Sequence, residues 1–310
     1  MTTAVGRGIA GVASGRRSGA AHGAMILFSL LVSTSFTVGV VIASTLDPAP
    51  LTFLRFAFAA IIFAAFVLVS GRWRWPSFTE SWQSLVLGAL VSVYFVAMFE
   101  ALRLTDALNT GALFCTIPLM TAVVAYAWLG QALRGRQLIS LVLAGAGALW
   151  VIFDGSLVQL LAFQLGSGEL VFLLGCLAYS AYSPAIRWFD AGVSALLISF
   201  WTVVAGLLWI GLYGIGPMLA TDWSRVPVST LIAIAYLALF TTVISFFLIQ
   251  FASTRLPQAR VMAYIYLVPV FIVLTEGIAY GTWPGPSVLA GVGVITAAML
   301  VLQVEQRGVG

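Results

Sequence analysis

Three ionisable side chains stand inside otherwise apolar runs: Arg55 in LTFLRFAFAA, Glu100 in VAMFEALRL and Glu276 in IVLTEGIAY. A charge at the centre of a membrane helix costs about 2.5–3.5 kcal/mol on insertion scales, so each needs a partner or a purpose. Two readings stand. The three pair with one another, or with nearby Arg103, as structural ion pairs or snorkelling groups; or Arg55 receives a substrate carboxylate and Glu276 couples to protons or guards one mouth. Rings come next. Tyr94, Phe99, Tyr179, Tyr182, Tyr264 and Tyr266 occupy positions where a planar or cationic substrate could stack and find a hydroxyl. Tyrosine and tryptophan also gather at membrane interfaces. That belt accounts for Trp73, Trp75, Trp82, Trp128, Trp188, Trp209, Trp223 and Trp283, but not for the mid-span Tyr94 and Tyr179. Ser33, Thr34 and Ser35, with Ser180 and Ser183, are either close-packing hydroxyls or substrate contacts. Pro118, Pro184 and Pro269 each free a carbonyl and permit a bend, which suits a hinge or gate as well as plain packing.

Other chemistry lacks its residues. The sequence contains no G-x-x-x-x-G-K-[ST], no HExxH, no GxSxG and no acidic cluster for magnesium. The reading is of a non-enzyme with no catalytic residue, no cofactor and no metal. An intramembrane enzyme on lipid-linked substrates is the rival from another class. Cys115 and Cys176 lie inside spans without CxxC spacing and read as small packing residues. His22, the sole histidine, reads as a solvated flank. With no basic helix or basic–aromatic stripe, nucleic acid is not an expected partner.

The elements that must position these groups follow from composition. The chain is 62% hydrophobic and 8% charged, with a mean hydropathy of +1.09. In hydrocarbon each backbone must satisfy itself within one helix, which takes about 20 apolar residues per crossing. Such stretches fill the chain and predict an all-α polytopic membrane protein with ten transmembrane helices: 22–43, 49–70, 81–102, 108–130, 136–153, 167–189, 194–215, 228–250, 260–280 and 286–304. DPAP, GRWRWPS, LRGR, GIGP and WPGP mark the breaks between them.

A shift of 151 residues lays Ala101 on Ala252, Ala112 on Ala263, Pro118 on Pro269 and Gly130 on Gly281. We therefore read a basic N-terminal tail at 1–21, a first five-helix repeat at 22–155, a second at 156–304, and a C-terminal tail at 305–310. Five is odd, so the second repeat runs inverted. The arginines orient the bundle: with both termini cytoplasmic, eleven fall inside and two, Arg103 and Arg225, outside. Inverted repeats around a midplane site are the architecture of secondary transporters.

At these residues the chain resembles the EamA-type transporters of the drug/metabolite transporter superfamily. The resemblance rests on the arginine of LTFLRFAFAA, the AL-x-x-T-x-A break at 101–107 with Pro118 beyond it, and the L-A-G helices at 143–145 and 289–291. It covers nearly the whole chain. Where the family often has glutamate near the end of span four, this sequence has Gln131. The first span and the aromatic content look similar to the aromatic amino-acid exporters of the YddG type. The resemblance implies a central cavity lined by spans one to four and six to nine, with spans five and ten as outer supports. The expected function is export of small metabolites, amino acids including aromatic ones, by alternating access across a bacterial inner membrane. The expected partners are the small-molecule substrate and membrane lipids. Purines, quaternary drugs and nucleotide sugars are the alternative substrates.

Overall fold

A computed structural model describes residues 19–304, apart from 36, 37, 39–41, 43, 44, 106, 190, 191 and 282, and apart from the side chains at 107–109, 276, 279, 280, 303 and 304. Most of the N-terminal tail, all of the C-terminal one and the side chain of Glu276 thus lie outside the described residues.

Every regular element among the described residues is helical. In order they are α1 (Gly19–Ser35), α2 (Pro48–Val69), α3 (Phe78–Leu104), α4 (Ala107–Phe114), α5 (Ile117–Leu129), α6 (Gly135–Ile152), α7 (Leu157–Leu161), α8 (Ser167–Trp188) and α9 (Ala195–Ala220). There follow α10 (Val228–Tyr236), a π-helical segment (Leu237–Ile244), α11 (Ser245–Ser253), α12 (Gln258–Ala263), a 3₁₀ turn (Tyr264–Tyr266), α13 (Leu267–Tyr280) and α14 (Pro286–Val304). Taken as continuous rods, eight of these helices are long and apolar enough to cross a membrane, and two shorter apolar ones, Gly19–Ser35 and Pro286–Leu302, flank them in sequence.

Polar chemistry sets the helix ends. Ser77 opens α3 with a capping box: Glu80 N–H donates to Ser77 Oγ at 3.3 Å and Ser77 N–H to Glu80 Oε2 at 2.8 Å, while Arg74 pairs with the same carboxylate. Ser194 caps α9 by accepting from Leu197 N–H. Gly130 ends α5 and Gly281 ends α13, both left-handed, with φ of 64° and 67°. Those glycines are equivalent under the 151-residue shift, so the shared terminator is now visible as geometry. The GIGP stretch read as a loop break instead lies within α9. There Gly214 lets α9 close on Ala49 of α2, where an added Cβ would stand 2.7 Å from the alanine's own.

Packing runs α2 on α9, α6 on α14, and α3 on both α8 and α9. Small residues bring the backbones together: a Cβ on Gly175 of α8 would stand 2.8 Å from Ala97 Cβ, and one on Gly88 of α3 would stand 2.7 Å from both Ala205 Cβ and Gly206 N of α9. Two rods are broken at matching places, between α4 and α5 and at the 3₁₀ turn between α12 and α13. Pro118 sits in the first turn of α5, where no amide is needed, and Pro269 in the first turn of α13. Pro184 differs, lying inside the unbroken α8. It cannot donate to Ser180 O, and Thr121 Oγ1 of α5 donates there instead at 3.1 Å. The breaks are also tied alike. Ser29 Oγ of α1 donates to Tyr264 O at 2.6 Å, and Cys176 Sγ of α8 to Leu113 O at 3.6 Å, two carbonyls 151 residues apart.

Candidate functional site

Arg55 lies in the second turn of α2, only 2% exposed. Its partners all come from the π-helical segment: Nε donates to Thr242 Oγ1 at 2.7 Å, and Nη2 donates to Thr241 Oγ1 at 2.7 Å and Thr241 O at 3.2 Å. The wide π turn lets two consecutive threonines face one guanidinium. Both hydroxyls give their own protons to Leu237 O, at 2.9 and 3.2 Å, so their lone pairs are turned toward the arginine. The guanidinium carbon stands 4.5 Å from the centre of the Phe95 ring. Among the described residues no carboxylate pairs with Arg55. Glu100 instead meets Arg103 at 3.8 Å, and Arg103 reaches Asp47 at 3.4 Å. Of the two pairings read from the sequence, Glu100 therefore takes the one with Arg103, one turn on along α3, and not the one with Arg55.

Around the guanidinium is a cavity bounded by α1, α2, α3, α4, α8, the π segment and α11. Its walls include Phe28, Ser35, Tyr94, Phe114, Tyr179 and Phe246. About 30 Å³ is open to the centres of water-sized molecules, enough for one or two waters, so a larger ligand requires the helices to part. The rings form two layers: Tyr94 stacks on Tyr179 at 4.4 Å between centres, and Phe95 on Phe246 at 6.2 Å. Tyr182 extends the first layer, stacked on Tyr179 at 5.8 Å and receiving Gln250 Nε2 on its hydroxyl at 3.1 Å.

The sequence-predicted residues thus separate. Arg55, Tyr94 and Tyr179 converge on the cavity, with Tyr182 one ring behind. Phe99 packs elsewhere, in a cluster with Ile42, Leu46, Leu51, Ile234 and Leu237. Tyr264 and Tyr266 belong to the α12–α13 break, with Tyr264 OH hydrogen-bonded to His22 Nδ1 at 2.7 Å and Tyr266 OH beside Gly145 of α6. His22, read as solvated, is half-buried and engaged. Ser33 donates to Leu30 O within its own helix, Thr34 ties α1 to α10 by accepting from Tyr236 OH at 2.8 Å, and the neighbouring Ser35 lines the cavity. Thr241, Thr242, Phe95 and Phe246 were not singled out from sequence. Adjacent threonines inside the apolar run LALFTTVI were the available signal.

A polar knot closes the bundle at the end holding residues 131 and 253–258. Ser183 Oγ donates to Gln258 Oε1 and hydrogen-bonds Ser253 Oγ; Gln258 Nε2 donates to Ser253 O at 2.8 Å; and Gln258 N–H donates to Gln131 Oε1 at 3.0 Å.

With this geometry in view, the chain compares with known proteins as follows. The model of the EamA-like transporter family matches it twice, at residues 20–153 and 166–303. It is 22% identical to the uncharacterized transporter YyaM of Bacillus subtilis, over 82% of this chain and 84% of that one. It is 25% identical to an uncharacterized transporter of Archaeoglobus fulgidus, over 92% and 98%. It is 25% identical to a WAT1-related chloroplastic protein of Arabidopsis thaliana, over 81% of this chain and 63% of that one. A solved crystal structure superposes with a TM-score of 0.74 at 20% identity, covering 94% of this chain and 98% of its own.

Proposed function

The chain belongs to the EamA-like transporter family, and we propose that it exports small metabolites carrying a carboxylate and an aromatic ring, aromatic amino acids among them. The observation behind this is the buried Arg55 guanidinium, held among the described residues by neutral groups and facing a cavity walled by rings. A buried charge without a counter-charge is costly, and a substrate carboxylate would relieve it. The same observation disfavours quaternary drugs, which arginine repels, and purines, which bring no anion. Nucleotide sugars carry two phosphate charges against a single cavity cation.

In this reading ten spans form two inverted repeats, 22–155 and 156–304, with both termini cytoplasmic in a bacterial inner membrane. The twofold match of the family model, the equivalent breaks at Pro118 and Pro269, and the eleven-to-two arginine bias support it. Access alternates as the halves rock around Arg55. The small cavity corresponds to a conformation closed around the site.

The experiment is uptake of radiolabelled amino acids into proteoliposomes holding the purified protein. Phenylalanine, tyrosine or tryptophan uptake should saturate. It should fall at least about tenfold in Arg55→Gln, as loss of a charge-assisted contact worth about 1.5–3 kcal/mol requires, fall also in Tyr94→Ala, which removes a ring of the cavity wall, and persist in Trp82→Ala. Folded protein with no uptake of any of the three would remove the amino-acid reading. Uptake unchanged in Arg55→Gln would remove this site.

A further inference from the structure

Charge balance at the Arg55 site reaches further than a carboxylate and a ring. We infer that the cavity takes an aromatic monocarboxylate without an ammonium group in preference to an amino acid; this rests on Arg55 receiving the substrate carboxylate.

Among the described residues every group that holds the guanidinium is neutral: two threonine hydroxyls, one carbonyl and one phenyl ring. The side chains lining the cavity include one cation and no carboxylate. The nearest acidic side chain on α3, Glu100, is turned to Arg103. Among the described residues Nη1 of Arg55 makes no hydrogen bond to protein, which leaves its N–H donors for a carboxylate. A monocarboxylate therefore brings the closed cavity to zero net charge. A zwitterion supplies the same carboxylate but adds an ammonium, and the closed cavity stays at one positive charge.

An ammonium would find little there. The hydroxyl oxygens of Thr241 and Thr242 already accept from Arg55. The serine oxygens, Ser35 Oγ bonded to Val32 O and Ser245 Oγ bonded to Phe240 O, are neutral acceptors only. Ring faces attract cations, but Phe95 already lies against the guanidinium, Tyr94 and Tyr179 are stacked on each other, and the remaining rings, Phe28, Phe114 and Phe246, carry no charge to cancel an ammonium. An unpaired buried charge is what low-dielectric interiors reject most strongly. A cavity lined by Phe28, Tyr94, Phe95, Phe114, Tyr179 and Phe246 favours a ligand with an aromatic body.

The test uses three probes of nearly one shape: 3-phenylpropionate, L-phenylalanine, which adds the ammonium, and phenethylamine, which lacks the carboxylate. Titration calorimetry on the purified full chain in detergent gives each Kd. Binding of 3-phenylpropionate at least tenfold tighter than phenylalanine, with no phenethylamine binding, is expected. Arg55→Gln should abolish carboxylate binding and Arg55→Lys should retain part of it. Phenylalanine binding as tightly as 3-phenylpropionate, or more tightly, overturns the preference and leaves the carboxylate site standing. Binding of phenethylamine alone, or of none of the three, overturns both.

Discussion

At the scale of the residue, the site depends on how two threonine hydroxyls are aimed. Thr241 and Thr242 each donate to Leu237 O and each accept from Arg55. Removing both hydroxyls would free the guanidinium to swing and leave it desolvated with the Thr241 carbonyl as its remaining acceptor on this segment. Thr241→Val with Thr242→Val should raise the KM for a carboxylate substrate about tenfold or more, since hydrogen bonds to charged groups are each worth about 1.5–3 kcal/mol. The paired serine variant should restore most of it. A KM within twofold of wild type in the valine double variant would show that Arg55 holds its place without them. Arg55 was legible in the sequence because a lone arginine in an apolar span demands an explanation. Its threonine partners were not, because a π turn is decided by tertiary packing and leaves no periodic mark. Phe99 misled for a related reason: an aromatic ring on α3 faces either the cavity or the satellite cluster around Ile234, and spacing alone does not choose.

Elements carry the next level of constraint, and the two broken rods show it most clearly. Gly130 and Gly281 stand 151 residues apart, both left-handed, both with no atom near an added Cβ. An alanine at either place meets only the backbone penalty of the left-handed region, about 1–2 kcal/mol. Gly130→Ala and Gly281→Ala should therefore lower the melting temperature of the detergent-purified protein by similar amounts. Effects on one side alone would mean the two terminators are not equivalent. Gly88 is a different case. Its Cβ would strike Ala205 and the backbone of Gly206, neither of which can move aside as a side chain does. Gly88→Leu should force α3 from α9 and destabilise by about 1–3 kcal/mol or more, read as a larger fall in melting temperature than either terminator variant. The positions of the helices were largely legible from hydropathy, and the shared proline and glycine positions pointed to the repeat. The extension of α9 through Gly214 to Ala220 was not, because glycine and proline in sequence do not reveal that α2 lies close enough to need them.

For the whole molecule, the proposed alternating access requires that something hold one end shut and yield. The knot of Ser183, Ser253, Gln258 and Gln131 joins α8, α11, α12 and the segment after α5 through satisfied buried hydrogen bonds. Arg187 Nη1 adds a bond to Thr254 O beside it. Gln131 belongs to the first matched half of the chain and Ser183, Ser253 and Gln258 to the second, so the bond from Gln258 N–H to Gln131 Oε1 is the one in this set that a rocking half must break. Such a network is firm when complete and costly when one member is lost, because the remaining donors and acceptors stay buried. Gln258→Leu removes the side chain that binds Ser183 and Ser253 while keeping the backbone bond to Gln131, and opening to water becomes the way to satisfy the buried groups left behind. The two native cysteines report on it: Cys176 and Cys115 are both buried and unpaired by disulfide, Cys176 near the ring layers on α8 and Cys115 at the α4–α5 break. N-ethylmaleimide should modify them slowly in the wild type and at least about fivefold faster in Gln258→Leu, with Gln258→Glu at low pH in between because a protonated glutamate can both donate and accept. Equal rates in folded wild type and Gln258→Leu would mean the knot is packing alone, and the closing element would then have to be sought among the rings, where Tyr182 receives Gln250 one layer behind Tyr179.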